Sequence, residues 1–181
     1  ETNALLEGHF ILSSGLHSDK YVQCAKLLSK PDKANKICLS LAEKIKQDFS
    51  SIDLILSPAI GGIVIGYEIG KILKTETIFA ERVDGKFNLR RGFQINRGQK
   101  ILIVEDVITT GKSSLECSNL AIKAKAEILG YACIIDRSNG KSNIKNKIVS
   151  QVEIQIPTYK KEDLPKHLEK IKAVKPGSRN L

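Results

Sequence analysis

ILIVEDVITTGKSS, Ile101 to Ser114, is the stretch whose reading decides the fold. Four β-prone apolar residues (Ile101, Leu102, Ile103, Val104) run into two adjacent acids, Glu105 and Asp106. Two threonines, a glycine and a Lys-Ser pair follow, and a helical pattern then begins. The order predicts paired carboxylates at the carboxyl end of a buried strand. It also predicts hydroxyls and unpaired backbone N–H groups at the start of the next helix. Carboxylates accept hydrogen bonds from sugar hydroxyls, and a helix N-terminus attracts phosphate through its N–H groups and dipole. A sugar phosphate satisfies both.

The same alternation of strand and helix extends outward from this segment. Gly8 to Cys24 alternates apolar and polar residues around Ser13-Ser14-Gly15, which predicts a short antiparallel hairpin. Pro31 and Asp32 open a helix with Ile37, Cys38, Leu41, Ala42 and Ile45 on one face. Asp53 to Ser57 reads as a buried strand. Gly62 to Leu73 reads as a helix apolar nearly all round and therefore buried, with Gly62, Gly66 and Gly70 allowing close approach. A strand near Thr77 to Ala80 precedes a polar excursion from Glu81 to Gln99. Beyond the opening segment, Lys112 to Leu129 reads as a helix capped by Gly130, and Tyr131 to Ile135 as a strand closed by Asp136 to Gly140. A strand over Val149 to Ile156 and a short helix after Lys161 complete the chain.

The expected architecture is α/β, a mainly parallel central sheet flanked by helices and joined by right-handed crossovers. Ligands bind such sheets outside the carboxyl ends of the strands. Three loops meet there: Pro58 to Gly62, Glu105 to Ser113, and Asp136 to Gly140.

The composition sets bounds. At 181 residues the chain is expected to form one domain over 1–181 with a core needing no staples. Its longest apolar stretch, Ile52 to Ile72, is broken by Asp53, Pro58, Glu68 and glycines, so no membrane partner is expected. No signal peptide is visible, although the chain starts at Glu1 rather than Met. Cys24, Cys38, Cys117 and Cys133 lack metal-ligand spacing and read as reduced, buried residues of a cytoplasmic protein. The net charge of +9 comes mostly from lysine, and no basic run is interleaved with stacking aromatics. A solvated surface, and no nucleic-acid partner, is the simpler reading. Such a surface also speeds encounters with polyphosphate anions.

Two nucleotide motifs fail. Gly111-Lys112-Ser113 imitates the end of a P-loop, but that motif needs a glycine five residues earlier, where Asp106 stands. No G-x-G-x-x-G follows a strand. Acid-acid-x-x-Thr-Thr-Gly-x-Ser between a β-run and a helix is far more specific.

VEDVITTGKS resembles the phosphoribosyl-diphosphate (PRPP) signature of the type I phosphoribosyltransferases. LLEGHFILSSGLHSDKYVQC, SPAIGGIVIGYEIG, FAERVDGKFNLRRGF, the DRS after the next strand and the terminal VKPGSR are similar to the orotate-specific members of that family. The resemblance spans Leu5 to Arg179. It implies that the 5-phosphoribosyl group passes from PRPP to orotate, giving orotidine 5′-monophosphate and pyrophosphate in pyrimidine (UMP) synthesis. It implies PRPP contacts from Glu105, Asp106, Val107, Ile108, Thr109, Thr110, Gly111, Lys112, Ser113, Gly61 and Gly62. Glu105 and Asp106 would hold the ribose hydroxyls, Thr109 to Ser113 the 5′-phosphate, and the Gly61-Gly62 turn the pyrophosphate. Thr109, Arg137 and Tyr21 would meet orotate, with Arg137 suited to its carboxylate.

The resemblance also implies a small hood (about 1–30 plus the C-terminal segment) and a basic, glycine-bearing lid over about 82–98. Lys86 and Arg82 are its catalytic candidates, with Arg90 or Arg91 as rivals; a solvated β-hairpin is the plainer alternative for the segment. Mg²⁺ would arrive with PRPP rather than sit in a cage of protein side chains. A homodimer sharing the lid between subunits is implied. The chain departs from the enterobacterial members at Ser13, at Ile60-Gly61 and near Asn88, where those have lysine, a Tyr-Lys pair and histidine. A phosphoribosyltransferase for a purine and a PRPP-sensing regulator remain the alternatives.

Overall fold

The computed structural model describes residues 2–12 and 15–176; Ser13, Ser14 and the terminal Gly177-Ser178-Arg179 lie outside the described residues. The chain divides into two compact units, one of residues 1–29 with 155–181 and one of residues 30–154.

In the first unit β1 (Leu5–Ile11) and β2 (His17–Val22) form an antiparallel hairpin, followed by the short helix α1 (Cys24–Leu28). The returning C-terminal segment bridges both strands, Val174 to Phe10 and Tyr159 to His17. His9 and His17 are buried there. Their rings share a 2.6 Å hydrogen bond, and His9 Nδ1 reaches the Ile171 carbonyl at 2.9 Å. The short helix α5 (Lys166–Glu169) belongs to the same unit, with Leu168 as its buried residue.

The second unit is built on a six-stranded sheet. In chain order its elements are α2 (Pro31–Asp48), β3 (Leu54–Pro58), α3 (Gly61–Leu73), β4 (Glu76–Val83), β5 (Lys86–Leu89), β6 (Lys100–Ile108), α4 (Lys112–Lys123), β7 (Glu127–Asp136) and β8 (Ile148–Glu153). The strand order is β5-β4-β3-β6-β7-β8, with every pair parallel except β4 and β5. β3 and β6 are buried along their apolar residues, as a sheet covered on both faces requires. Leu54, Leu56, Ile101, Ile103, Tyr131 and Cys133 pack with Cys117 and Ala121 of α4. The opposite face meets α2 and α3, whose buried residues include Cys38, Leu41, Ile45, Ile65 and Ile69. No helix among the described residues is long and apolar enough to cross a membrane.

Four expectations need correction. α4 ends at Lys123, not Leu129. Lys125 turns left-handed (φ 60°), and Ala126 N–H reaches Ala121 O while Lys125 N–H reaches Ile122 O. That paired bonding closes a helix without glycine at the cap. Gly130 instead lies inside β7, where a Cβ would collide with the Phe49 ring. Second, α3 is not buried all round. Ile60 just ahead of it, Val64 and Tyr67 are 76%, 46% and 64% exposed and form one stripe at helical spacing. Third, the segment expected to be a loop over 82–98 is strand up to Leu89. β5 returns antiparallel along β4 and plants Phe87 in the core, leaving irregular chain only over 90–99. Fourth, β6 continues through both acids to Ile108, so Glu105 and Asp106 lie within the strand.

Candidate active site

β3 and β6 are parallel neighbours, so their carboxyl ends, and the helices that follow each, open at the same edge. α3 begins at Gly61 and α4 at Lys112; neither start carries a side-chain cap or an acidic residue in its first turn. Two positive helix ends therefore open at this edge, one on each face of the sheet, with N–H groups left for a ligand. The Thr110 hydroxyl reaches Lys112 N–H only at 3.4 Å.

Alternation along β6 sends the two acids to opposite faces. Asp106 lies against the first turn of α3: a Cβ on Gly61 would sit 2.8 Å from either Asp106 carboxylate oxygen. Burial pushes the Asp106 carboxyl above its ordinary range, while backbone N–H donors from Val107 and Asp106 itself pull the other way. Glu105 points towards α4, where it accepts a hydrogen bond from the fully buried Ser114 hydroxyl. Among the described residues no three His, Cys, Asp or Glu side chains converge as a metal cage.

The Thr109-Thr110-Gly111 turn is exposed at its threonines and braced from behind. Gly111 is left-handed (φ 76°), and a Cβ there would meet Ile144 side-chain carbons at 2.7 and 2.8 Å. Asn143 N–H bonds Thr110 O at 3.0 Å, and Arg137 N–H bonds Ile108 O at 2.8 Å. Asp136 Oδ1 accepts Ser138 N–H at 2.7 Å and shapes the turn after β7. Thr109 and Arg137 are thereby brought together at the ends of β6 and β7. Val107 and Ile108 contribute strand, Lys112 is exposed, and Ser113 is half-buried. Gly62 packs against the Val104 carbonyl at the root of the α3 turn.

The basic candidates sit on the β4–β5 hairpin. Arg82 pairs with Glu116 of α4 at 2.5 Å, donates to Gly85 O at 2.7 Å and lies 4.1 Å over the Phe87 ring. Arg91 forks onto Glu81 through two 3.0 Å bonds. Each partner reinforces the other's charge, holding the Glu81 carboxyl below its usual range and Arg91 above. Lys86 opens β5 as an exposed ammonium with no ion pair among the described residues. Tyr21 lies on β2 of the other unit, its ring 5.8 Å from Phe10. His167 lies in α5, also in that unit.

Sequence reasoning missed Ser114, Ile144 and Glu116. Ser114 follows the motif directly, yet only the fold shows its hydroxyl turned back to Glu105. Ile144 carries no signal beyond apolarity, because the left-handed turn it fills is set by tertiary packing.

Residues 28–170 match the phosphoribosyl transferase domain. An orotate phosphoribosyltransferase of Parvibaculum lavamentivorans is 46% identical, over 100% of this chain and 94% of its own length. The chain belongs to the orotate phosphoribosyltransferase family. Among solved structures, orotate phosphoribosyltransferase from Aeropyrum pernix superposes with TM-score 0.71 at 21% identity, covering 84% of this chain and 89% of that one. Adenine phosphoribosyltransferase from Saccharomyces cerevisiae reaches TM-score 0.65 at 18% identity, covering 74% and 86%. The fold is thus common to orotate and adenine enzymes. Full-length sequence similarity places this chain among the orotate phosphoribosyltransferases.

Proposed function

We infer that the protein is an orotate phosphoribosyltransferase, joining orotate to the 5-phosphoribosyl group of PRPP and releasing pyrophosphate, in UMP synthesis. The observation that supports this best is the pair of uncapped helix starts, α3 and α4, with Asp106 set against the first. PRPP has that same sequence of groups: a 5′-phosphate, ribose hydroxyls and a diphosphate. In this reading the Thr109 to Ser113 turn holds the 5′-phosphate, Asp106 and Glu105 take the hydroxyls, and the Gly61-Gly62 turn faces the diphosphate.

Reaction breaks the anomeric C–O bond to pyrophosphate as the orotate ring nitrogen bonds to the same carbon and gives up its proton to water. Positive charge grows on the ribose and negative charge on the leaving group. The protein's work is to hold both substrates in line and stabilise the departing charge. Lys86, exposed on the hairpin, is the cation assigned to that charge, while Arg82, the register partner of Phe87, lies on the other face against Glu116. Arg137 offers orotate's carboxylate a planar, two-toothed donor next to Thr109.

Mg²⁺ would neutralise diphosphate charge. Glu105 and Asp106 lean to opposite faces of β6, and a cation carried by PRPP oxygens needs no cage of protein side chains. The exposed Ile60, Val64 and Tyr67 stripe fits a homodimer contact, with the hairpin shared between subunits. Four buried cysteines that form no disulfide among the described residues fit a reducing cytoplasm.

The test is the loss of orotate absorbance on mixing with PRPP and Mg²⁺, with adenine as the control base. PRPP-dependent loss of orotate, and none of adenine, is expected. Consumption of adenine instead would overturn the base assignment.

A further inference from the structure

Glu105 and Asp106 are neighbours in sequence but not in environment. Asp106 is fixed by the α3 turn and by backbone donors. Glu105 has one more side-chain torsion to settle and faces the first turns of α4. The groups that bear on this place are Ser114 and Cys117, both fully buried on α4, with Glu116 on α4 and Arg82 on β4. Cys133 is the register partner of Glu105 on β7.

A hydroxyl removed from water must be paired or it opposes folding. Ser114 has no exposure, and its Oγ donates to Glu105 Oε2. The thiol of Cys117, one turn further along, is pushed far up by burial and by the Glu105 charge. Ser114 also sits in the first turn of the helix whose open N-terminus is the phosphate cradle. One residue therefore ties the first acid of the pair to the register of that cradle.

We propose that Ser114 is a positioning residue for phosphoribosyl transfer: its buried hydroxyl holds the Glu105 carboxylate in the orientation that receives the ribose of PRPP. The proposal rests on the PRPP reading of the site and adds a residue outside the motif itself. Ser114 touches no substrate and acts through Glu105.

Three variants test it. Ser118 is a matched control, a buried hydroxyl on the same helix bonded to Leu115 O rather than to an acid. Calorimetric titration with PRPP and steady-state kinetics should show Ser114→Ala raising Kd and KM for PRPP by about fivefold to twentyfold, less than the full worth of a hydrogen bond to a charged group because Glu105 itself remains. kcat should change much less. Ser114→Thr, which keeps the hydroxyl, should restore most of the affinity. Ser118→Ala should lower thermal stability and leave PRPP affinity as it was.

PRPP affinity unchanged in Ser114→Ala, or shifted equally in Ser114→Ala and Ser118→Ala, overturns the proposal alone. A wild-type protein that does not bind PRPP overturns this proposal together with the functional reading. One that binds PRPP but leaves orotate untouched overturns only the base, and the affinity comparison still decides the role of Ser114.

Discussion

The strand-end cradle and the β4–β5 hairpin present opposite designs within one sheet. Around the cradle, each device is held from behind: Asp106 by the Gly61 turn, Glu105 by Ser114, Gly111 by Ile144, Thr110 by Asn143. The hairpin is anchored by Phe87 and Phe93 but carries its cations on exposed chain, restrained by the Arg82–Glu116 and Arg91–Glu81 pairs. Surface pairs of that kind contribute little and weaken with salt. The difference suggests a division of labour. In the proposed function the packed part would fix the substrate, and the exposed part would supply charge that can rearrange as pyrophosphate forms.

The largest expected effect is at the cradle. Asp106→Asn removes the charge that the proposed reading assigns to the ribose hydroxyls, and kcat/KM for PRPP should fall by roughly tenfold to a hundredfold or more, the worth of one or more charge-assisted hydrogen bonds. Stability should move the other way. The folded pKa of Asp106 is raised, so between the unfolded and folded values the native state binds more protons. Wild-type stability from this group is therefore greatest at low pH and is lost as pH rises through the folded pKa. Thermal melts from acid to neutral pH should show Asp106→Asn gaining on the wild type as pH rises. A stability difference that does not change between acid and neutral pH would refute the burial argument.

On the hairpin, Lys86→Ala should lower kcat by on the order of a hundredfold, the lower end of what loss of one charge-stabilising donor costs. If kcat is unchanged, the role passes to Arg90 or another cation of the segment. Gly111→Ala tests the brace. A non-glycine left-handed residue costs about 1–2 kcal/mol before the Ile144 clash is counted. Melting should drop by several degrees and PRPP affinity with it. A variant with wild-type melting would show that the turn relaxes freely. The smallest effect belongs to Glu116→Gln. Loss of its half-exposed pair with Arg82 should cost under about 1 kcal/mol, and 0.5 M salt should erase the difference. A large loss would mean the hairpin is held more firmly than its contacts suggest.

Much of the fold could be read in the chain because its signals were local. The apolar run Ile101 to Val104, the Pro31 helix start and the two-residue alternation of the N-terminal hairpin each specify an element unaided. The motif also put its threonines and glycine just past one strand end. What the sequence hid depended on tertiary partners. Gly130 looked like a helix cap because glycine commonly is one; the crowding by Phe49 that requires it comes from residues far along the chain. The hairpin looked like a loop because Phe87, the one buried residue of β5, is surrounded by polar neighbours. The divergence of Glu105 from Asp106 follows from strand alternation, but only after β6 is known to run to Ile108 rather than stop at Val104.

The proposed separation between a binding cradle and a catalytic hairpin is open to one direct measurement: the PRPP dissociation constant of Asp106→Asn and Lys86→Ala by calorimetry, set beside their turnover of orotate. The account predicts that Asp106→Asn loses affinity, whereas Lys86→Ala binds PRPP within a few-fold of wild type and turns over slowly. Equal loss of affinity in both, or a Lys86→Ala enzyme at full speed, would contradict it.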